Sequence, residues 1–175
     1  MLNTSKIILA SASPRRQEIL EECLGIKPDI RPSTFAEDLD KSLFADAADY
    51  VMENARIKAL EVARKHTHDE WLCVIGADTI VELDNKIIEK PIDKADAFRI
   101  LKSLANSKHC VKTGVTLIKK KKKNTNTRSD ESDLFEVHTF YDRTDVEMAD
   151  YDDAVIDGYI ETGQPMDKAG AYGIQ

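Results

Sequence analysis

The stretch "KIILASASPRRQEIL", residues 6 to 20, constrains the fold more than any other part of the chain. Lys6 to Ala10 reads as a buried strand. Ser13 is a natural helix N-cap, and Pro14 suits the first helical position, where its missing N–H costs nothing. A helix over 14–24, closed by Gly25, therefore opens at Arg15 and Arg16. Backbone N–H groups, the positive end of a helix dipole, the Ser11 and Ser13 hydroxyls and two guanidinium groups would converge there. Such a convergence suits an anion, phosphate above all. Solvated first-turn arginines are the plain alternative, although cations at a helix N-terminus are mildly disfavoured.

Strand-like and helix-like segments alternate beyond it. A helix spans about 45–66 and a strand 71–76, and "IVELDNKII" reads as two strands around an Asp-Asn turn. Asp93 caps a helix to about Ala105 with Ala97, Ile100, Leu101 and Leu104 inward. "HCVKTGVTLI" and "LFEVHTFYDRTDVEM" pair as a hairpin. A last helix, about 149–162, carries Tyr151, Val155, Tyr159 and Ile160 on one side. The class is mixed α/β.

Between the hairpin strands, residues 119–133 hold no apolar run and are predicted to form a flexible loop. Lys119 to Lys123 reads as a solvated hairpin tip or as a nuclear-import or nucleic-acid patch. With 175 residues, 42 % of them hydrophobic, the chain suits one domain, and a net charge of −7 argues against nucleic-acid or anionic-membrane partners. Cys23, Cys73 and Cys110 lack paired-ligand spacing and read as reduced core thiols. His66 and His68 read as exposed. No apolar run reaches membrane-spanning length or makes a signal peptide, and the expected compartment is the cytoplasm.

A few residues break the pattern. Val51, Ala55, Lys58 and Val62 share one helix stripe, so Lys58 lies on the face that meets the core. It either snorkels to the surface or reaches inward to an anion. In "CVIGADTIVEL" the small residues interrupt an apolar strand and place Asp78 at its end. The carboxylate is then a turn residue, or else it is paired, ligating or a base. Glu37 and Asp38 could join it around a divalent ion. Lys90 precedes Pro91, which holds its backbone extended.

"ILASASPRRQEIL", "IGADTIV", "IIEKPID" and "YIETGQPMDKAGAYGIQ", in this order and spacing, resemble the Maf family of nucleoside triphosphate pyrophosphatases over essentially the whole chain. The resemblance implies an elongated two-lobed fold around a central cleft, like that of inosine-triphosphatase-like enzymes. It implies that Ser11, Ser13, Arg15 and Arg16 cradle phosphates, and that Lys58 and Lys90 add charge. Asp78 would be the general base, with Glu37 and Asp78 at a Mg²⁺ or Mn²⁺ ion. Arg15, Thr79 and Gln175 match the branch preferring dTTP and UTP, and a homodimer is among the assemblies it allows. The products implied are a nucleoside monophosphate and pyrophosphate. Gln164 stands where the family usually has Glu, and "LANSKH" replaces a common Ser-Gly. Relatives continue past the position of Gln175 with a glycine-rich segment, a strand and a helix. The alternative expectation is therefore a shortened, catalytically impaired nucleotide-binding or regulatory protein.

Overall fold

A computed structural model describes residues 7–121 and 134–173. Its elements in order are β1 (Ile7–Leu9), α1 (Pro14–Glu18), β2 (Asp29–Ile30), α2 (Ala47–Lys65), β3 (Cys73–Leu83), β4 (Lys86–Ile88), α3 (Lys94–Leu104), β5 (Lys108–Lys120), β6 (Phe135–Glu147) and α4 (Asp153–Glu161). The mixed α/β class holds. The strands form one sheet in the order β2-β1-β3-β5-β6, with β4 beside β3. β1 is parallel to both β2 and β3. β4 returns antiparallel to β3 with Val81 opposite Ile88, and Asp84 and Asn85 both take the left-handed backbone that a two-residue hairpin turn demands. Hydrogen bonds from Lys121 N to Leu134 O and from Met148 N to Ser107 O bracket β5 and β6 as an antiparallel pair.

The chain divides into two compact units. One comprises Met1–Leu39, Met52–Asp78 and Gly114–Phe140; the other comprises Asp40–Val51, Thr79–Thr113 and Tyr141–Gln175. The first has a core of Ile8, Ala59, Val62, Trp71, Val74, Ile118 and Phe135. The second is built on Val81, Ala97, Ile100, Leu101, Leu104, Ile156 and Ile160. The inward face of α3 is the expected one, and the Asp93 carboxylate caps that helix by accepting from Asp96 N at 2.7 Å.

Several expectations need correction. The helix after Pro14 keeps α geometry only to Glu18 and widens into a π turn over Ile19–Cys23. It closes as foreseen at Gly25 (φ +65°), with Ile26 N bonded back to Leu20 O. α4 begins at Asp153 rather than near 149, capped by Asp152; Ile160 faces the core as expected with Tyr151 and Tyr159 against it, but Ile156 is buried there while Val155 is exposed. Cys23 is exposed, Cys73 half-buried and Cys110 buried, so only one of the three thiols is fully interior. Lys119 and Lys120 belong to β5 rather than to a loop. The Lys120 ammonium lies 4.7 Å from the Trp71 ring centre and donates to the Thr67 carbonyl at 2.7 Å. Residues 122–133 lie outside those described. Among the described residues no helix is long and apolar enough to cross a membrane.

Candidate active site

β3 is one unbroken strand of eleven residues, so "GADT" does not end it and Asp78 is not a turn residue. Gly76 and Asp78, two apart, point to the same face. A Cβ at Gly76 would lie 2.7 Å from Ala59 Cβ and closer still to the Ala55 carbonyl oxygen. Only glycine against alanine lets α2 approach the strand this closely. Lys58 lies on that α2 surface, beside Ala55 and Ala59, and the approach carries its ammonium to the Asp78 carboxylate. The Nζ–Oδ1 distance is 2.8 Å with both side chains buried. Lys58 thus follows the stripe and reaches inward. What it meets within the chain are carboxylates, since Glu37 Oε2 also lies 2.6 Å from Nζ.

Glu37 adopts a left-handed backbone (φ +57°), unusual for a residue with a long side chain, in a segment with no regular structure. Arg16 turns inward from α1. One guanidinium nitrogen donates to Ser11 Oγ and to the Ala77 carbonyl, both at 2.9 Å. Ser13 sits at the N-cap position but its hydroxyl caps nothing; its N–H donates instead to Ser11 Oγ at 3.2 Å. The first unit therefore brings together Ser11, Arg16, Glu37, Lys58 and Asp78.

The electrostatics of the cluster are unbalanced. Burial pushes the Asp78 carboxyl above its ordinary range against the pull of the Lys58 ammonium, and the Glu37 charge pushes the same way. Burial also lowers the Arg16 pKa, opposed by the charges of Asp78 and Glu37. A carboxyl held up beside cations is suited to exchanging a proton.

Other expected residues are placed elsewhere. Thr79, first residue of β3 in the second unit, shares a hydroxyl contact with Thr113 at 3.1 Å. Lys90 is exposed in the second unit. Gln175 lies outside the described residues. Asp38 does not complete a ligand set with Glu37 and Asp78, because among the described residues no three His, Cys, Asp or Glu side chains converge as for a metal. Gln164, the departure from the family pattern, opens a short turn and presents its backbone carbonyl to the Lys168 ammonium at 2.5 Å.

Two features went unread in the sequence. Gly76 appeared there only as part of a strand break, whereas its role depends on α2 packing across it. Glu61 looks like an ordinary exposed helix charge in its own stretch, yet its carboxylate accepts from the Ser33 hydroxyl, from Thr34 N at 2.9 Å and from Lys65 Nζ at 2.5 Å. Its helical spacing of three from Lys58 was the available clue.

A family model described as Maf-like protein matches residues 6–175. The chain belongs to the Maf family. It is 43 % identical over 173 residues to a human protein named probable bifunctional dTTP/UTP pyrophosphatase/methyltransferase, covering 97 % of this chain and 27 % of that one. A nucleoside triphosphate pyrophosphatase of Dictyostelium discoideum is 43 % identical, covering 99 % of this chain and 77 % of its own length. A dTTP/UTP pyrophosphatase of Clostridium beijerinckii is 44 % identical, covering 97 % and 82 % respectively.

Proposed function

We propose that this protein hydrolyses nucleoside triphosphates, with dTTP and UTP preferred, to the monophosphate and pyrophosphate. The observation that carries the reading is Asp78, a mid-strand buried carboxyl raised in pKa beside Lys58, in a chain whose relatives are named for this activity. Water attacks the α-phosphorus, its proton passes to Asp78, and the bond to the bridging oxygen breaks so that pyrophosphate leaves. Lys58, Arg15 and Arg16 offset the charge on the phosphate oxygens, and Ser11 donates a hydrogen bond.

The pair of carboxylates around one ammonium supports a divalent ion. Asp78 and Glu37 already flank a positive charge, and Mg²⁺ typically takes one or two carboxylates with the remaining ligands from phosphate and water. Asp78 and Glu37 are the residues that would hold Mg²⁺ or Mn²⁺, which when bound supplies further charge neutralisation of the leaving group. Thr79 and Gln175 are proposed to read the pyrimidine, an amide having both a donor and an acceptor for the base edge. Cytoplasm, where nucleotide pools lie, is the proposed compartment.

Pyrophosphate release measured across dTTP, UTP, CTP, dATP and GTP with Mg²⁺ tests the proposal. The expected pattern is pyrophosphate as the only phosphorus-containing leaving product, and faster turnover of dTTP and UTP. Orthophosphate release, or equal rates on purines, would overturn it. Calorimetric binding of dTTP without any turnover would instead establish the non-catalytic alternative.

A further inference from the structure

The segment that carries Glu37 has neither helix nor strand from Arg31 to Asp40, yet α2 holds it at two points one helical turn apart. Lys58 binds the Glu37 end. At the other end, five hydrogen bonds converge on the single carboxylate of Glu61. They come from the Ser33 hydroxyl, Thr34 N at 2.9 Å, the Thr34 hydroxyl at 2.5 Å, Phe35 N at 3.2 Å and Lys65 Nζ at 2.5 Å. Ser33 Oγ also accepts from Phe35 N at 3.1 Å, so Ser33, Thr34 and Phe35 form a closed network on one acceptor. Only Ala36 separates this network from Glu37, whose backbone is already in the left-handed region.

We propose that Glu61 is a positioning residue for the active site: by anchoring residues 33–35 to α2 it fixes where the Glu37 carboxylate stands, without itself touching substrate. The inference rests on the proposed role of Glu37 at the divalent ion. A stretch this short has few backbone torsions between the anchored Phe35 and Glu37. The carboxylate's location is therefore inherited from the anchor, as the orientation of a metal ligand is inherited from the groups that hydrogen-bond it. Loss of the clamp should cost a cation-dependent step more than it costs the fold, because the Lys58–Asp78 pair and the core behind it do not use Glu61.

The test compares wild type, Glu61→Ala, Glu61→Gln, Glu37→Gln and the double variant Glu37→Gln/Glu61→Ala. Each is assayed for dTTP turnover against Mg²⁺ concentration, and amide hydrogen exchange is followed at Thr34 and Phe35. Glu61→Ala is expected to raise the half-saturating Mg²⁺ concentration about 10-fold, in the range for removing a ligand's supporting hydrogen bond, with faster exchange at both amides. Glu61→Gln, which keeps one acceptor oxygen, should fall between. In the Glu37→Gln background, removing Glu61 should add nothing to the Mg²⁺ requirement. Unchanged Mg²⁺ dependence in Glu61→Ala, with a clear effect of Glu37→Gln, would overturn the positioning role alone. An equal further loss in the Glu37→Gln background would do the same, by making Glu61 a general structural support. If Glu37→Gln leaves the Mg²⁺ dependence untouched, the proposed role of Glu37 fails and the positioning of it fails too, whatever the exchange shows.

Discussion

Lys58 in the first unit and Lys112 in the second are each buried between two carboxylates, each with a side chain about 7 % exposed. Lys112 lies 2.7 Å from Glu82 and 2.8 Å from Asp46. Asp46 also accepts from Ala48 N at 2.6 Å, capping α2, and this bond together with Lys112 holds its carboxyl below the ordinary range. Burial works to lower the Lys112 pKa, but hydrogen bonds to Asp46 and Glu82 raise it overall. At Lys58 the partner is Asp78, only 10 % exposed against 57 % for Asp46, and its carboxyl is pushed up rather than down. The same three charges thus make a settled structural tie when one carboxylate is wet and caps a helix. They make an unsettled pair, open to proton exchange, when burial of the carboxylate outweighs the pull of the ammonium, as at Asp78.

The strongest way to break this contrast is to neutralise one acid in each cluster. Asp78→Asn should lower kcat on dTTP by about 10³-fold, or ~4 kcal/mol in the barrier, while dTTP affinity stays within a few-fold, because the amide keeps the shape but cannot take the proton. Glu82→Gln should leave kcat nearly unchanged. Steady-state kinetics with calorimetry decides; comparable losses in both variants would erase the distinction.

Neutralising the lysines should reverse the order when stability is read by urea denaturation. Lys112→Met strands Glu82 and Asp46 and should cost about 2 kcal/mol, less than a fully buried pair because Asp46 is half in water. Lys58→Met should cost under about 1 kcal/mol, since Asp78 can shed its charge by binding a proton. Greater destabilisation from Lys58→Met would mean that the Asp78 pair is structural after all.

Arg16 and Arg15 sharpen the picture on the Asp78 side. From the sequence, removing either cation from a helix N-terminus should leave the empty protein unharmed. The structure ties Arg16 to Ser11 and to the Ala77 carbonyl beside Asp78, so Arg16→Ala should destabilise the nucleotide-free protein by about 1 kcal/mol. Arg15→Ala should be neutral or slightly stabilising. Thermal melts with and without dTTP and Mg²⁺ check this, with both variants expected to lose most of the ligand-induced stabilisation.

What the sequence made legible was local. The Asp84-Asn85 turn, the Asp93 cap, the α3 face and the Lys58 stripe all depend on neighbours within one or two turns of chain. The α4 face was legible in part: Tyr151, Tyr159 and Ile160 pack on the second core as expected, while Ile156 rather than Val155 completes the face. Lys120, Lys112 and Glu61 were illegible. Each looks like an ordinary solvated charge in its own stretch, and each acquires partners from 26 to 66 residues away. Family resemblance supplied roles for Glu37 and Asp78, but not the Gly76 contact that brings α2 against the strand.

The smallest expected effect tests the contrast through pH. Asp46 has a folded pKa below its ordinary 3.8, so it contributes stability at pH values above that and loses the contribution as pH falls through the folded pKa. With the carboxylate more than half exposed, solvent screening reduces this to about half a kcal/mol. Asp46→Asn should therefore be slightly less stable than wild type at pH 7 and 5, with the difference closing below pH 3.8. Asp78 carries the opposite sign. Its folded pKa is raised, so its contribution is present below 3.8 and lost as pH rises through the folded value. Asp78→Asn should then be no less stable than wild type at pH 7, and should lose ground to it on acidification. Urea titrations of the three proteins at pH 7, 5 and 3.5 measure both slopes. Two variants with slopes of the same sign would show that the clusters differ only in exposure and not in which protonation state the fold prefers.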